Sequence, residues 1–443
     1  MGAELGRAAA TGPSAHTCAE SAASGASAAG PAVAVTNLGC RVNRVELDAI
    51  ALELQRAGCR IVDESAAELV VVNTCAVTGE AEAKARKAVR HAAALPQAPA
   101  VVATGCVASL FADELAGLAP NVVVEADKRA VGARALAELG WEARDAGAEH
   151  AGGHAVTPTG RMRPGLKVQD GCDHRCTYCI VWKARGPARS LPAREVIDGV
   201  RALVAEGARE VVLTGIDLGR YDSDGLDLAG LLGRVLAESE VGRVRLSSVE
   251  PAGVTPRLLE VMAGSGGRVA PFLHIPLQSG CDATLRRMGR PYDAASYLDV
   301  VRRAREAVGG LAVACDLIVG FPGEDEREFA ESLATCREAS FAKMHVFRYS
   351  RRPGTPAAAM GGQVAPEVMA QRSRAMRELA HGMRRAYAAS LVGTSQLVLV
   401  ERAGRGVSGG LVDVLVDPGH EGELVRATPH VASGDVLDAR AMS

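Results

Sequence analysis

A chain of 443 residues is too long for one ordinary hydrophobic core, so its length predicts two or three domains. Lys plus Arg number 50 against 52 Asp plus Glu, a formal net charge of -2 that supplies no global field for nucleic acid, so any RNA contact must be local. Eleven cysteines, an odd number without a secretory signal, exclude a disulfide framework and point to metal or catalytic use in a reducing, cytoplasmic compartment; no apolar run approaches the roughly 20 residues of a membrane helix.

Residues 1–31 are Ala, Gly and Ser with few polar side chains, and Met1 and Leu5 are the only large aliphatic ones before Gly30. Such a tail cannot bury enough apolar surface to offset ordering and is expected to be disordered. A small α/β domain is expected over 32–140. Strands Ala32 to Asn37, Leu69 to Asn73, Ala100 to Thr104 and Asn121 to Val124 alternate with helices near Val45 to Ala57, near Glu80 to Ala94, from about Ser109, and near Lys128 to Leu139. That alternation indicates an open parallel sheet wrapped by helices. Cys40, Cys75 and Cys106 lie just beyond three of these strands. In an open parallel sheet the carboxyl ends of the strands share one edge, where ligands bind. The three cysteines are therefore expected to meet in space; the plainer alternative is three separate buried strand-end thiols. Cys59, after the first helix, has no such position and reads as structural.

Residues 141–161 lack periodicity and read as a linker. In a second domain, 162–390, strands are expected near Leu166 to Gln169, Glu210 to Thr214, Arg243 to Ser247, Pro271 to Ile275, Ala312 to Val319 and Lys343 to Phe347. Six strand-helix units make a partial β/α barrel with functional groups at the strand carboxyl ends. Directly after the first strand comes Asp170-Gly171-Cys172-Asp173-His174-Arg175-Cys176-Thr177-Tyr178-Cys179. Three thiolates at these gaps can converge on one iron-sulfur cube, leaving its fourth iron open to substrate. Zinc would require a fourth thiol or imidazole to close a tetrahedron, and His174 lies between the thiols where its side chain points away from them. A buried-packing role is the remaining alternative.

Cys-x3-Cys-x2-Cys with Tyr178 before the last cysteine resembles the signature of the radical S-adenosylmethionine (SAM) superfamily. The resemblance implies a 4Fe-4S cluster on Cys172, Cys176 and Cys179 whose open iron chelates SAM. It also implies an electron-donor protein, because SAM is cleaved reductively to a deoxyadenosyl radical. Further candidate SAM contacts are Tyr178 within the cysteine stretch and, at strand ends, Thr214, Asp217, Glu250, Gln278 and Gly320. Glycines there allow close backbone approach, and carboxylates can hold an ammonium or ribose hydroxyls. For Asp217 and Glu250 the competing reading is a helix cap or a solvated loop acid. Cys281, Cys315 and Cys336 lack a nearby thiol in sequence and read as packing.

Pro366 to Tyr387 is a helical stretch carrying Arg372, Arg374, Arg377, Arg384 and Arg385, and it follows Tyr349-Ser350-Arg351-Arg352-Pro353-Gly354-Thr355. This one clearly basic region could track phosphates, with Arg351, Arg352 and Arg384 as candidate RNA contacts; the alternative is a solvated helix face. Residues 391–443 alternate short apolar runs with glycine turns and are expected to form a small antiparallel β-barrel. Four arginines there face seven acidic residues, so RNA binding is not expected of that barrel by charge.

An α/β domain with three cysteines, a radical SAM barrel and a terminal TRAM-like barrel together resemble the radical SAM methylthiotransferases. The resemblance implies a second, auxiliary 4Fe-4S cluster on Cys40, Cys75 and Cys106 that carries sulfur, with tRNA as partner. Gly39-Cys40-Arg41-Val42-Asn43, Ser247-Ser248-Val249-Glu250-Pro251 and His274-Ile275-Pro276-Leu277-Gln278-Ser279-Gly280 look most like the MtaB branch, which modifies threonylcarbamoyladenosine beside the tRNA anticodon. The expected activity is therefore methylthiolation of that adenine ring. Its rivals are another tRNA adenosine, a ribosomal-protein side chain as in the RimO branch, or, outside enzymes, a zinc-dependent RNA-binding module.

Overall fold

The computed structural model describes residues 30–142 and 161–441. Most of the expected tail and linker lies outside the described residues. The first domain contains β1 (Ala32–Asn37), α1 (Arg41–Arg56), β2 (Arg60–Ile61), β3 (Leu69–Thr74), α2 (Gly79–Ala93), β4 (Ala100–Gly105), α3 (Cys106–Leu110), α4 (Ala112–Ala116), β5 (Val122–Val124) and α5 (Val131–Glu138). Every residue of β3, Leu-Val-Val-Val-Asn-Thr, is buried, as a parallel strand covered on both faces requires. Its side chains alternate: Leu69 and Val71 pack with Leu47, Ile50 and Leu54 of α1, while Val70 and Val72 pack with Ala85 and Val89 of α2. The strand order β2-β1-β3-β4-β5 is parallel throughout. In this doubly wound order the strand sequence switches sides between β1 and β3, the point at which such sheets bind ligands. The helix expected from Ser109 instead begins at Cys106 and breaks after Leu110, and α1 begins at Arg41 rather than Val45.

The second domain begins with β6 (Gly165–Lys167), a short ribbon of β7 (Gln169–Asp170) with β8 (Arg189–Ser190), and α6 (Val181–Arg185) between them. Then follow α7 (Ala193–Ala205), β9 (Glu210–Thr214), α8 (Leu228–Glu238), β10 (Arg243–Leu246), α9 (Pro256–Gly264), β11 (Phe272–His274), α10 (Asp282–Met288), α11 (Ala294–Ala307), β12 (Ala312–Val319), α12 (Glu326–Ala339), β13 (Lys343–Arg348) and α13 (Pro366–Ser390). The six long-range strands are parallel. Sheet β10-β9-β6 joins sheet β11-β12-β13 through the bridges Val244 to Val269 and Ser248 to His274. The curved wall therefore runs β6-β9-β10-β11-β12-β13 and stays open between its edges, β6 and β13. Its helices pack outside on one large core that includes Val211, Leu213, Leu273, Val313 and Leu317.

The last six strands are β14 (Gln396–Arg402), β15 (Arg405–Ser408), β16 (Asp413–Leu415), β17 (Leu424–Ala427), β18 (Val431–Ser433) and β19 (Val436–Asp438), in the order β17-β14-β15-β16-β19-β18. Pairing is antiparallel except between β16 and β19, which the sequence pattern did not foresee. This sheet closes the amino-terminal end of the barrel. Arg243 and Arg245, fully buried, share Glu210 and donate their remaining hydrogens to backbone oxygens of Leu397, Val407, Ser408 and Gly409. Among the described residues no helix is long and apolar enough to cross a membrane.

Candidate functional site

Cys40, Cys75 and Cys106 sit at the carboxyl ends of β1, β3 and β4, on either side of the switch point. Two buried asparagines hold the edge. Asn43 donates to Asn73 Oδ1 at 3.1 Å and to Thr74 O at 2.8 Å, Asn73 donates back to Asn43 O at 2.6 Å, and the Cys40 thiol donates to Asn43 Oδ1 at 3.3 Å. Gly105 is required before Cys106, since its φ is +94° and a Cβ would lie 2.3 Å from Thr74 O. The thiols share one electrostatic field: burial, and then Cys40 and Cys106, push the Cys75 thiol up to about 11. Asn37 Oδ1 and Thr104 Oγ1 end at the same edge, buried and without a partner among the described residues.

Cys172, Cys176 and Cys179 follow β7. The loop can turn there because Gly171 has φ +72° and its missing Cβ leaves room for Pro187 O. Burial raises the thiols, Cys172 to about 12 and Cys179 to about 11. Arg290, itself buried, donates to Cys176 Sγ at 3.1 Å and pairs with Glu250. A second buried guanidinium, Arg185, answers to the other trio, opposing the burial that raises Cys40. Arg185 also binds Glu46 of α1 at 2.8 Å and Asp170 at 2.9 Å. Because α6 packs on α3, the helix that opens at Cys106 touches the one that follows Cys179, and the two trios lie on neighbouring edges. Sequence reasoning missed Asn43, Asn73, Arg185 and Arg290. Only the polar residues inside otherwise apolar segments could have signalled the asparagines.

The other expected contacts are distributed differently. Thr214 ends β9 with its Oγ1 buried and unpartnered, and Tyr178 meets the Phe321 ring edge-on at 6.4 Å. Gln278 adopts φ +69° at the mouth of the barrel. Asp217 caps a short turn by accepting from Gly219 N at 3.1 Å, and it lies 3.5 Å from His174 Nε2, so the capping alternative holds for it. Gly320 was expected to give a ligand close access, but a Cβ there would lie 2.2 Å from Met369 of α13, so the space serves packing.

The basic region is corrected more strongly. Arg352 is 2% exposed and pairs with Glu82 of α2, next to Ser350, whose hydroxyl accepts from Gly79 N at 2.9 Å. Arg384 bonds Leu411 O at 2.7 Å and faces Asp435. Both were expected as RNA contacts; both instead join domains, Arg352 through Glu82 alone, with its Nε and Nη1 buried and without a partner among the described residues, and Arg384 through Leu411 O and Asp435. Arg351 stays exposed.

Among the described residues, no three His, Cys, Asp or Glu side chains gather as ligands of a single metal ion. Zinc would need its thiolates about 2.3 Å from one centre, whereas a cube takes each on a different iron. Two trios of thiols, each with a buried guanidinium nearby, have the donor chemistry of iron-sulfur clusters.

Comparison with known proteins agrees with this geometry. The Radical SAM superfamily model matches residues 166–336, and the Uncharacterized protein family UPF0004 model matches 32–125. The chain is 36% identical to a tRNA-2-methylthio-N(6)-dimethylallyladenosine synthase of Sphingopyxis alaskensis, over 92% of this chain and 94% of that one. It is 33% identical to the threonylcarbamoyladenosine tRNA methylthiotransferase MtaB of Thermotoga maritima (83% and 86%). It is 36% identical to the ribosomal protein uS12 methylthiotransferase RimO of Desulforudis audaxviator (83% and 85%). Among solved structures, the radical SAM methyltransferase TsrM of Kitasatospora setae, with cobalamin and a [4Fe-4S] cluster bound, superposes with a TM-score of 0.53 at 16% identity over 74% of each chain, which shows a shared fold.

Proposed function

The chain belongs to the radical SAM methylthiotransferases, and from that premise we propose that it adds a methylthio group to the adenine ring of N6-threonylcarbamoyladenosine next to a tRNA anticodon. The family uses two 4Fe-4S clusters and SAM, which supply a carbon-centred radical and a methylated sulfur for an aromatic C–H too strong and too weakly acidic for side-chain chemistry. The observation that carries the reading is the pair of sulfur trios on adjoining strand-end edges. Cys172, Cys176 and Cys179 would hold the SAM-binding cluster, and Cys40, Cys75 and Cys106 the auxiliary one. Arg185 and Arg290 place a positive charge near Cys40 and Cys179, opposing the burial that raises these thiols. Asn43 and Asn73 fix Cys40 relative to Cys75, and the Glu46–Arg185–Asp170 network fixes one edge against the other. Residues 32–140, 162–390 and 391–443 serve as auxiliary-cluster, radical and closing units.

Support for the MtaB branch comes from Gly39-Cys40-Arg41-Val42-Asn43 and from MtaB proteins among the relatives. The test is mass spectrometry of tRNA nucleosides and ribosomal proteins from a deletion strain. Loss of the methylthio group from threonylcarbamoyladenosine is expected. Unchanged tRNA beside a lost ribosomal-protein modification would reverse the choice. An external electron donor protein is required, because SAM cleavage is reductive.

A further inference from the structure

The barrel is open between β6 and β13, and the start of α1 lies along the β6 edge of that gap. Arg41 opens α1 next to Cys40, yet its side chain is exposed. The charges that act on it belong to Arg245 of β10, Arg163 just before β6, and Asp316 of β12, while Lys343 and His345 of β13 both feel Arg41 in turn. Helix α1 packs on β6 at one edge of the gap and Lys343 opens β13 at the other, so cations of both domains share one electrostatic field there. The neighbouring guanidiniums are already committed: Arg163 to Glu401 at 2.7 Å, Arg243 and Arg245 to Glu210, and Arg384 to backbone oxygens. Arg41 and Lys343 make no side-chain hydrogen bond or ion pair with a described residue. The acids facing them are Asp316, which lies 3.2 Å from His274 Nε2, and the exposed Asp413.

We propose that Arg41 and Lys343 form an anion seat on the open side of the barrel, which takes the free carboxylate of the substrate's threonylcarbamoyl group. The identity of that carboxylate rests on the substrate proposed above. Two unpartnered cations that feel each other's charge are both relieved by one anion between them, and a guanidinium matches a carboxylate with two parallel hydrogen bonds. Neighbouring positions suit the rest of the nucleoside. Lys343, His345 and Phe347 occupy one face of β13, where the register pairs His345 with Asp316 and Phe347 with Ile318. Phe347 is 38% exposed, an open aromatic surface on which a purine can stack. The four-residue step from Lys343 to Phe347 spans about 13 Å, enough for the base at one end and its acidic tail at the other. A backbone phosphate offers the same chemistry as a carboxylate, so the test must separate the two.

The experiment uses the reconstituted full-length enzyme and anticodon stem-loop RNAs bearing threonylcarbamoyladenosine either as the free acid or as its neutral methyl ester. Formation of the methylthio nucleoside gives kcat/KM for each. Wild type should prefer the acid by at least about tenfold, an energy typical of one charge-assisted contact. In R41Q and K343Q that preference should fall toward parity through KM for the acid, with R41K recovering part of it; iron content and melting temperature report that the variants are folded and loaded. Unchanged preference in both variants would overturn the seat. An equal loss on acid and ester would assign the cations to RNA phosphate and overturn the carboxylate. Wild type that modifies another adenosine or a protein instead would overturn the substrate reading itself, which is seen before any variant is made.

Discussion

Glu46 is a carboxylate buried at 6% exposure on a helix that also carries a proposed cluster ligand at its start, and it survives there only through its partners. Burial alone would raise its pKa, but Arg185, Lys128 and Lys167 together lower it from 4.5 to about 2. The folded-state pKa lies below the unfolded one, so the stabilisation is fully present above pH 4.5 and is lost as pH falls toward 2. At 1.36 kcal/mol per unit this amounts to about 3 kcal/mol. Glu46→Gln should therefore lower the melting temperature at pH 7, and the gap to wild type should close on acidification; a gap independent of pH would mean the carboxylate charge contributes nothing. This residue illustrates what the sequence hides. Nothing local marks Glu46, Arg185 or Arg290, because the partners that define them lie far off in the chain, 139 residues between Glu46 and Arg185 and 40 between Glu250 and Arg290. The cysteines were legible because chemistry requires their type and spacing.

At the scale of elements, the strand-helix alternation was readable because β-branched runs such as Val70 to Val72 and the helical spacing of Leu47, Ile50 and Leu54 carry different periods. Two-residue strands such as β2, β7 and β8 are too short to show any period and were missed or merged. The start of α3 at Cys106 was missed because no capping residue precedes it; Gly105 reaches the turn by backbone conformation alone. Gly105→Ala should consequently strain β4 against β3, destabilise the domain by roughly 2 kcal/mol or more and reduce iron bound at the auxiliary site. Iron analysis of this variant in a C172A/C176A/C179A background isolates that site; undiminished iron would refute the placement. The trios should also be separable. Replacing Cys172, Cys176 and Cys179 by Ala should abolish deoxyadenosine formation. Replacing Cys40, Cys75 and Cys106 should spare it but abolish the methylthio product, and wild-type product from that second triple variant would remove the auxiliary cluster from the chemistry.

For the molecule as a whole, the arginines prove to be fasteners more than contacts. Arg352 ties the barrel to α2, and Arg384 ties α13 to the last sheet. Arg352→Gln should thus lower the melting temperature, whereas Arg351→Gln, at an exposed position, should leave it unchanged and reduce the salt slope of binding to the proposed RNA by about 1. An unaltered slope would leave Arg351 as a solvated side chain. Charge counting could not separate these neighbours, since burial depends on the domain that folds against them. The floor of the barrel has a consequence of another kind. Arg243 and Arg245 grip the last sheet by its main-chain oxygens at Leu397, Val407, Ser408 and Gly409, and amino-acid replacement does not remove a carbonyl. The attachment is therefore insulated from drift in side-chain identity: the outer face of that sheet can exchange its charges over evolutionary time, even reversing their sign as this chain's acidic surplus suggests, while the joint beneath it stays the same.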